Sequence, residues 1–128
     1  MATVRVFYSH PKKLYGTAAE KREVSLIEAR FPGCDLVNPR ESRPAPEPGG
    51  ETEYYLRMID SCDCLVFSRH YGYVTEGVRP EVDHALARGI PVFEVSDGRV
   101  AEVRGQVSNL PITARLILRV KGAFGIGR

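Results

Sequence analysis

Short apolar runs alternate with helical patterns along most of the chain. The apolar runs are rich in β-branched and aromatic residues and are bounded by Pro, Gly or Asp, which is typical of strands. The segments between them repeat apolar residues at helical spacing. Strands are predicted over residues 4–9, 35–38, 64–67 and 91–95, and helices over 17–31, over 51–61 and from about Pro80 to Gly89.

The first predicted helix has the clearest start. Thr17 and Glu20 have capping-box spacing, in which the hydroxyl accepts a hydrogen bond from the backbone N–H three residues on and the carboxylate reaches back. Pro32-Gly33 ends the same helix.

Other segments have weaker patterns. Residues 40–50 are rich in Pro, Gly and charge without periodicity, which predicts an exposed loop that borders the functional site. Residues 99–111 fit either a helix or a strand only weakly and stay unassigned. Residues 112–120 alternate in a way that suits a last or edge strand, and the Gly-rich residues 122–128 predict a loose tail. Residues 1–121 are therefore expected to form one α/β domain.

Strands that alternate with helices predict a mostly parallel sheet with helices on both faces. The expected fold is flavodoxin-like (Rossmann-like), with about five strands in the order 2-1-3-4-5. In this order the ligand crevice lies between the first and third strands, at their carboxyl ends. The loops after Ser9 and Phe67 and the start of the third helix should meet there.

Composition narrows the class of partner. The chain has 128 residues and a net charge of +2, and its basic residues are interleaved with acids, so a nucleic-acid polymer is not an expected partner. No apolar run is long enough to span a membrane, and no signal-peptide pattern opens the chain, so a cytoplasmic protein is expected. The cysteines, Cys34, Cys62 and Cys64, suit half-buried thiols better than disulfides or a zinc site.

Glu81 is the first candidate for chemistry. It follows Pro80, which favours the first turn of a helix, directly after the loop that leaves the third strand. There the carboxylate would face the crevice. The simpler alternative is that Glu81 only compensates the charge of the helix dipole.

The segment around Glu81 resembles a known family. Its pattern is G-x-x-x-E-x-x-x-A-x-x-x-G-x-P-V, formed by Gly77, Glu81, Ala85, Gly89, Pro91 and Val92. This pattern, after an apolar strand headed by an acid, is similar to the nucleoside 2-deoxyribosyltransferase-like superfamily, which includes nucleotide N-glycoside hydrolases. The resemblance implies that Glu81 is the nucleophile that attacks the anomeric carbon of a sugar.

The resemblance has departures. Two positions that carry Asp in many family members are Tyr55 and Thr75 here, and the family's N-terminal Tyr falls on Phe7 or Tyr8. The substrate can therefore differ even if the nucleophile is retained. Members of the family are commonly oligomers, which implies a possible homodimer.

The other candidate residues lie on the predicted loops at the crevice. The group that assists the departing base is expected to be Tyr8, His10 or Glu76. A phosphate of the substrate would be bound by Arg69, His70 and Arg79. Hydroxyl groups of the substrate would be bound by Ser9, Asn38 and Ser68. Each has a structural alternative, as a core aromatic, a solvated charge or a turn cap. Gly77 belongs to the motif itself.

The expected function is cleavage or transfer of the N-glycosidic bond of a nucleoside or nucleoside 5′-monophosphate. The sequence has no Walker loop, dinucleotide fingerprint or helical zinc pair, and the proposed chemistry needs neither metal nor cofactor. Two alternatives stay open: a non-catalytic nucleotide-binding sensor or interaction module, and an NAD glycohydrolase-like enzyme.

Overall fold

The computed structural model describes residues 3–41, 50–105 and 107. Its strands are β1 (Arg5–Ser9), β2 (Asp35–Val37), β3 (Cys64–Phe67), β4 (Val92–Ser96) and β5 (Arg99–Val103). Its helices are α1 (Ala18–Arg30), α2 (Gly50–Asp60) and α3 (Arg79–Ala87), with a short 3-10 helix at Lys12–Leu14. The first four strands and the three α-helices match the predicted elements to within a residue or two.

The strands form one sheet in the order β2-β1-β3-β4-β5. The neighbours among β1 to β4 run parallel, and β5 runs antiparallel to β4. The predicted flavodoxin-like order is confirmed. Ser9 pairs with Phe67 in the register of β1 with β3, so these two strands end level with each other. The loops that leave them therefore start side by side.

The fifth strand comes from the segment that the sequence pattern left unassigned. Asp97 and Gly98 both have positive φ, 52° and 76°, and form a two-residue turn between β4 and β5. A turn with two positive φ angles matches the twist of a β-hairpin, so β5 pairs back onto β4. The predicted strand over 112–120, the tail over 122–128 and most of the predicted loop over 40–50 lie outside the described residues.

The core has two layers, one on each face of the sheet. Phe7 and Leu65 pack in the cluster that includes residues of α2 and α3. Tyr8 and Val66 pack in the cluster on the α1 face. Because side chains alternate along a strand, neighbours at the end of β1 are directed into different layers.

No helix in the described part of the chain has both the length and the apolar character needed to cross a bilayer.

Candidate functional site

A cavity of about 490 Å³ opens at the carboxyl ends of the central strands. Its walls come from the loops after β1, β2 and β3 and from the first turns of α2 and α3. The lining residues are His10, Pro11, Lys12, Lys13, Tyr15, Pro39, Glu51, Thr52, Tyr55, His70, Thr75, Glu76, Gly77 and Glu81. This is the crevice position that the strand order predicts for a ligand.

Glu81 lies in the first turn of α3, which begins at Arg79 with proline in its first positions. Glu81 is only 8% exposed, although it lines the cavity. The Ser9 hydroxyl donates a hydrogen bond of 2.6 Å to Glu81 Oε1. No other described residue hydrogen-bonds this carboxylate, so Oε2 has no protein partner within that part of the chain.

The environment of Glu81 favours its neutral form. Burial raises the pKa of Glu81 from 4.5 to about 7, opposed by the hydrogen bond from Ser9. The nearby charge of Glu51 raises the pKa further, and that of Lys12 lowers it. If Glu81 only compensated the helix dipole, its carboxylate would lie in solvent. Solvent and the dipole would both stabilise the ionised form, and its pKa would be lowered. The simple charge-compensation role therefore does not account for Glu81.

His10 also lines the cavity, but both of its ring nitrogens have partners in the protein. Nδ1 donates to the carbonyl oxygen of Tyr8 at 3.0 Å, and Nε2 lies 2.8 Å from Glu20 Oε2. The imidazole is stacked on the Tyr8 ring, with centroids 3.7 Å apart. His10 thus contributes a wall to the cavity without offering a ring nitrogen to a ligand.

Glu20 is a buried carboxylate that the sequence assigned only to a helix cap. The cap hydrogen bond from the Glu20 N–H to Thr17 is present, but the Glu20 side chain reaches back to the N–H of Gly16 at 3.0 Å. Arg40 Nε lies 3.0 Å from the same carboxylate. Burial alone would raise its pKa, but the hydrogen bonds from His10 and Gly16, with the charge of Arg40, lower it below the usual value.

Tyr8 and Ser68 were predicted as site residues, but the structure places neither with Glu81. The hydroxyl groups of both donate to the carboxylate of Glu23 on α1. Burial, with the Glu23 hydrogen bond, raises the pKa of Tyr8 above its usual range. Strand alternation is the physical reason, since Tyr8 and Ser68 follow the face opposite to that of Ser9.

Arg69 and Arg79 are not among the described residues that line the cavity. Arg69 Nε lies 3.1 Å from Glu94 Oε2 on β4, and the Arg69 side chain is 6% exposed. Arg79 Nη1 lies 3.0 Å from Asp83, one turn along α3. These two predicted phosphate ligands are therefore engaged in ion pairs within the protein.

Asn38 lines a second cavity, between α1 and β2, and is not among the described residues that line the cavity with Glu81. Its side-chain oxygen accepts a hydrogen bond from the N–H of Arg40 at 3.0 Å. Asn38 thus closes the turn after β2, which is the structural alternative to a ligand contact.

His70, Glu76 and Gly77 line the cavity with Glu81, as predicted. The lining also includes Thr75 and Tyr55, the positions at which the family pattern has Asp. The Tyr55 hydroxyl donates to the carbonyl oxygen of Pro39 at 3.2 Å.

Sequence reasoning missed Lys12, Lys13 and Glu51 of the cavity. Lys12 and Lys13 follow β1 directly, and Lys12 Nζ lies 3.2 Å from Glu51 Oε1 on α2. Their position just after the first strand, at the predicted crevice, was the available signal. Within residues 3–41, 50–105 and 107, no group of three or more His, Cys, Asp or Glu side chains is placed to hold a metal ion.

Comparison with known proteins supports the fold alone. No family model matches the chain, and no curated protein matches it. Among solved structures it is similar to a conserved protein from Enterococcus faecalis V583, with a TM-score of 0.57 and 21% sequence identity. The match covers 94% of this chain and 76% of that one. The chain therefore shares an α/β fold with this protein.

Proposed function

We propose that the protein cleaves or transfers the N-glycosidic bond of a nucleoside or nucleoside 5′-monophosphate, with Glu81 as the nucleophile. The observation that carries the proposal is the Glu81 carboxylate itself, buried at the wall of a cavity of about 490 Å³ and held through one oxygen by Ser9. The resemblance of the surrounding motif to the deoxyribosyltransferase-like family supports the same role.

The site suits a reaction that develops positive charge on a sugar. Cleavage of a glycosidic bond passes through a state that resembles an oxocarbenium ion, and a carboxylate beside the anomeric carbon stabilises it or forms a covalent ester. Glu81 is poorly solvated, so its interaction with that charge is strong. Ser9 fixes Oε1, and Oε2 is the oxygen that attacks. Water or a second base then releases the sugar.

The cavity also suits the proposed class of substrate. Its volume falls within the usual range for small-molecule sites, about 300–1,000 Å³. Lys13 lines it, and the Lys13 ammonium has no protein partner among the described residues. Lys12 is next to it, paired with Glu51. A 5′-phosphate at this side of the cavity would be attracted by the positive charge of these lysines, a role that Arg69 and Arg79 do not fill.

The test incubates the protein with purine and pyrimidine nucleosides and nucleoside 5′-monophosphates and measures the free base released by chromatography. Wild-type protein should release base, and Glu81→Gln should lose several powers of ten in rate, as expected for a member of a covalent-catalysis unit. Glu53→Gln, which removes an exposed acid of α2 that is not among the described lining residues, is the control for removal of a charge. Intact-mass measurement after acid quenching should show a sugar adduct on the wild type and on the control variant but not on Glu81→Gln. Equal rates for wild type and Glu81→Gln would refute the assignment.

The second candidate is a nucleotide-binding sensor. The observation that favours it is the absence of a carboxylate at Tyr55 and Thr75, both of which line the cavity. A sensor would bind nucleotides tightly in calorimetry without release of base, and Glu81→Gln would then change affinity only. An incubation with NAD, monitored for nicotinamide, tests the glycohydrolase-like alternative in the same assay.

A further inference from the structure

The proposed reaction needs a proton as well as a nucleophile. When the bond between the sugar and the base breaks, its electron pair goes to a ring nitrogen of the base, and a positioned acid that protonates the base speeds the step by about 10²–10⁴-fold. Glu81 cannot supply this proton while it acts as a nucleophile. Another group at the cavity has to do so.

Several ionisable groups of the cavity are already engaged. Both ring nitrogens of His10 face Tyr8 and Glu20, and the Tyr55 hydroxyl donates to Pro39. Glu51 is paired with Lys12. None of these groups presents a proton to a ligand in this arrangement.

Lys13 and Glu76 also have no described side-chain partner, but Lys13 is assigned to the phosphate and Glu76 is exposed. His70 differs because its ring nitrogens have no hydrogen-bond partner among the described residues. It lines the same cavity as Glu81 and is half-buried. Its ring lies against that of Tyr71, at a centroid distance of 4.4 Å. An imidazole in such a position can donate a proton to a ligand and later take one back.

The backbone holds His70 in place through an unusual turn. The N–H of His70 donates to the carbonyl oxygen of Tyr73 at 2.8 Å, and the reverse hydrogen bond is 2.9 Å long. The two residues between them, Tyr71 and Gly72, have φ of 49° and 83°. A positive φ is costly for a residue with a side chain such as Tyr71, and costly backbone conformations persist where the surrounding structure enforces them, often at functional sites.

We propose that His70 is the general acid that protonates the departing base, an assignment that rests on the proposed function. Glu81 Oε2 forms a bond to C1′ as the bond from C1′ to the base breaks. The imidazolium N–H of His70 gives its proton to the ring nitrogen of the base, which leaves neutral. Neutral His70 then takes a proton from the water that attacks C1′, and the ester breaks to return the Glu81 carboxylate.

The test compares two substrates that differ in their need for an acid. Guanosine 5′-monophosphate must be protonated as the base leaves, whereas the base of its 7-methyl derivative is already cationic and leaves as a neutral molecule. In a single turnover, which reports only the step that releases the base, His70→Gln should slow release from the first substrate by about 10²–10⁴-fold and from the second by less than about tenfold. His84→Gln is the control, because His84 lies outside the cavity and pairs with Asp60.

Retained turnover of the 7-methyl substrate also shows that the His70→Gln protein is folded. An equal loss on both substrates, or no loss on either, would overturn the assignment of His70. If wild-type protein and Glu81→Gln cleave the 7-methyl substrate at the same rate, the role of Glu81 and the proposed function fail instead.

Discussion

Burial of Glu81 predicts that the candidate nucleophile destabilises the folded protein at neutral and alkaline pH. Burial raises the pKa of Glu81 from 4.5 to about 7. Since one pKa unit corresponds to about 1.4 kcal/mol, ionising Glu81 costs about 3 kcal/mol more in the folded protein than in the unfolded chain. Because the folded state binds the proton more tightly, Glu81 favours folding below pH 4.5 and loses that contribution as the pH rises through about 7.

Glu81→Gln isolates this cost. The amide oxygen of Gln can still accept the hydrogen bond from Ser9, but the side chain does not ionise. The free energy of unfolding of the variant, relative to wild type, should therefore rise by about 3 kcal/mol between pH 4.5 and pH 8. Urea denaturation at the two pH values measures it, and the relative midpoint should move by roughly 1–2 M for a domain of this size.

Glu76→Gln is the control for the loss of one negative charge at the same cavity. If Glu81→Gln and wild type keep a constant difference in free energy of unfolding between pH 4.5 and pH 8, Glu81 ionises in the folded protein as easily as in water. The argument that it is a desolvated carboxylate would then be wrong.

The hydrogen bond from Ser9 and the position of Lys13 give the remaining predictions. Ser9→Ala should move the acid limb of the pH profile of kcat/KM to higher pH by about 1–2 units. The hydrogen bond that is lost stabilises the ionised Glu81 carboxylate, and a hydrogen bond to a charged group contributes about 1.5–3 kcal/mol. Ser68→Ala, which removes a buried hydroxyl on the other face of the sheet, should not move the profile. Lys13→Gln should lower kcat/KM about tenfold for a 5′-monophosphate, the lower end of the same range, and leave the nucleoside unaffected. Equal losses on both substrates would argue against a phosphate beside Lys13.

Local patterns were sufficient to predict the parts of the fold that depend on local physics. Alternating strands and helices gave the order of the first four strands, and Pro80 located the helix start that brings Glu81 to the crevice. The strand β5 was missed because its residues alternate weakly between exposed and half-buried positions. Asp97-Gly98, a strong hairpin signal, was the better indicator.

The site was harder to predict because its composition depends on long-range partners. Arg69 is next to the crevice in sequence, but Glu94 on the neighbouring strand β4 binds it. Nothing local to residue 69 reveals that pair. Tyr8 and Ser9 are adjacent in sequence, yet their side chains lie on opposite faces of the sheet. Which of them contacts Glu81 depends on the face to which each of the last residues of β1 is directed.

A comparison of the two buried glutamates explains why Glu81 is the one assigned to chemistry. Glu20 is 2% exposed, and His10, Gly16 and Arg40 bind its carboxylate, which lowers its pKa. Such a group is stabilised as an anion by the fold. Glu81 is 8% exposed, and burial raises its pKa; among the described residues its carboxylate receives one hydrogen bond, from the neutral hydroxyl of Ser9. A carboxylate that is buried at a cavity, with no ion pair to any residue of the described part of the chain, costs stability, and the expected compensation is a ligand whose positive charge develops beside it.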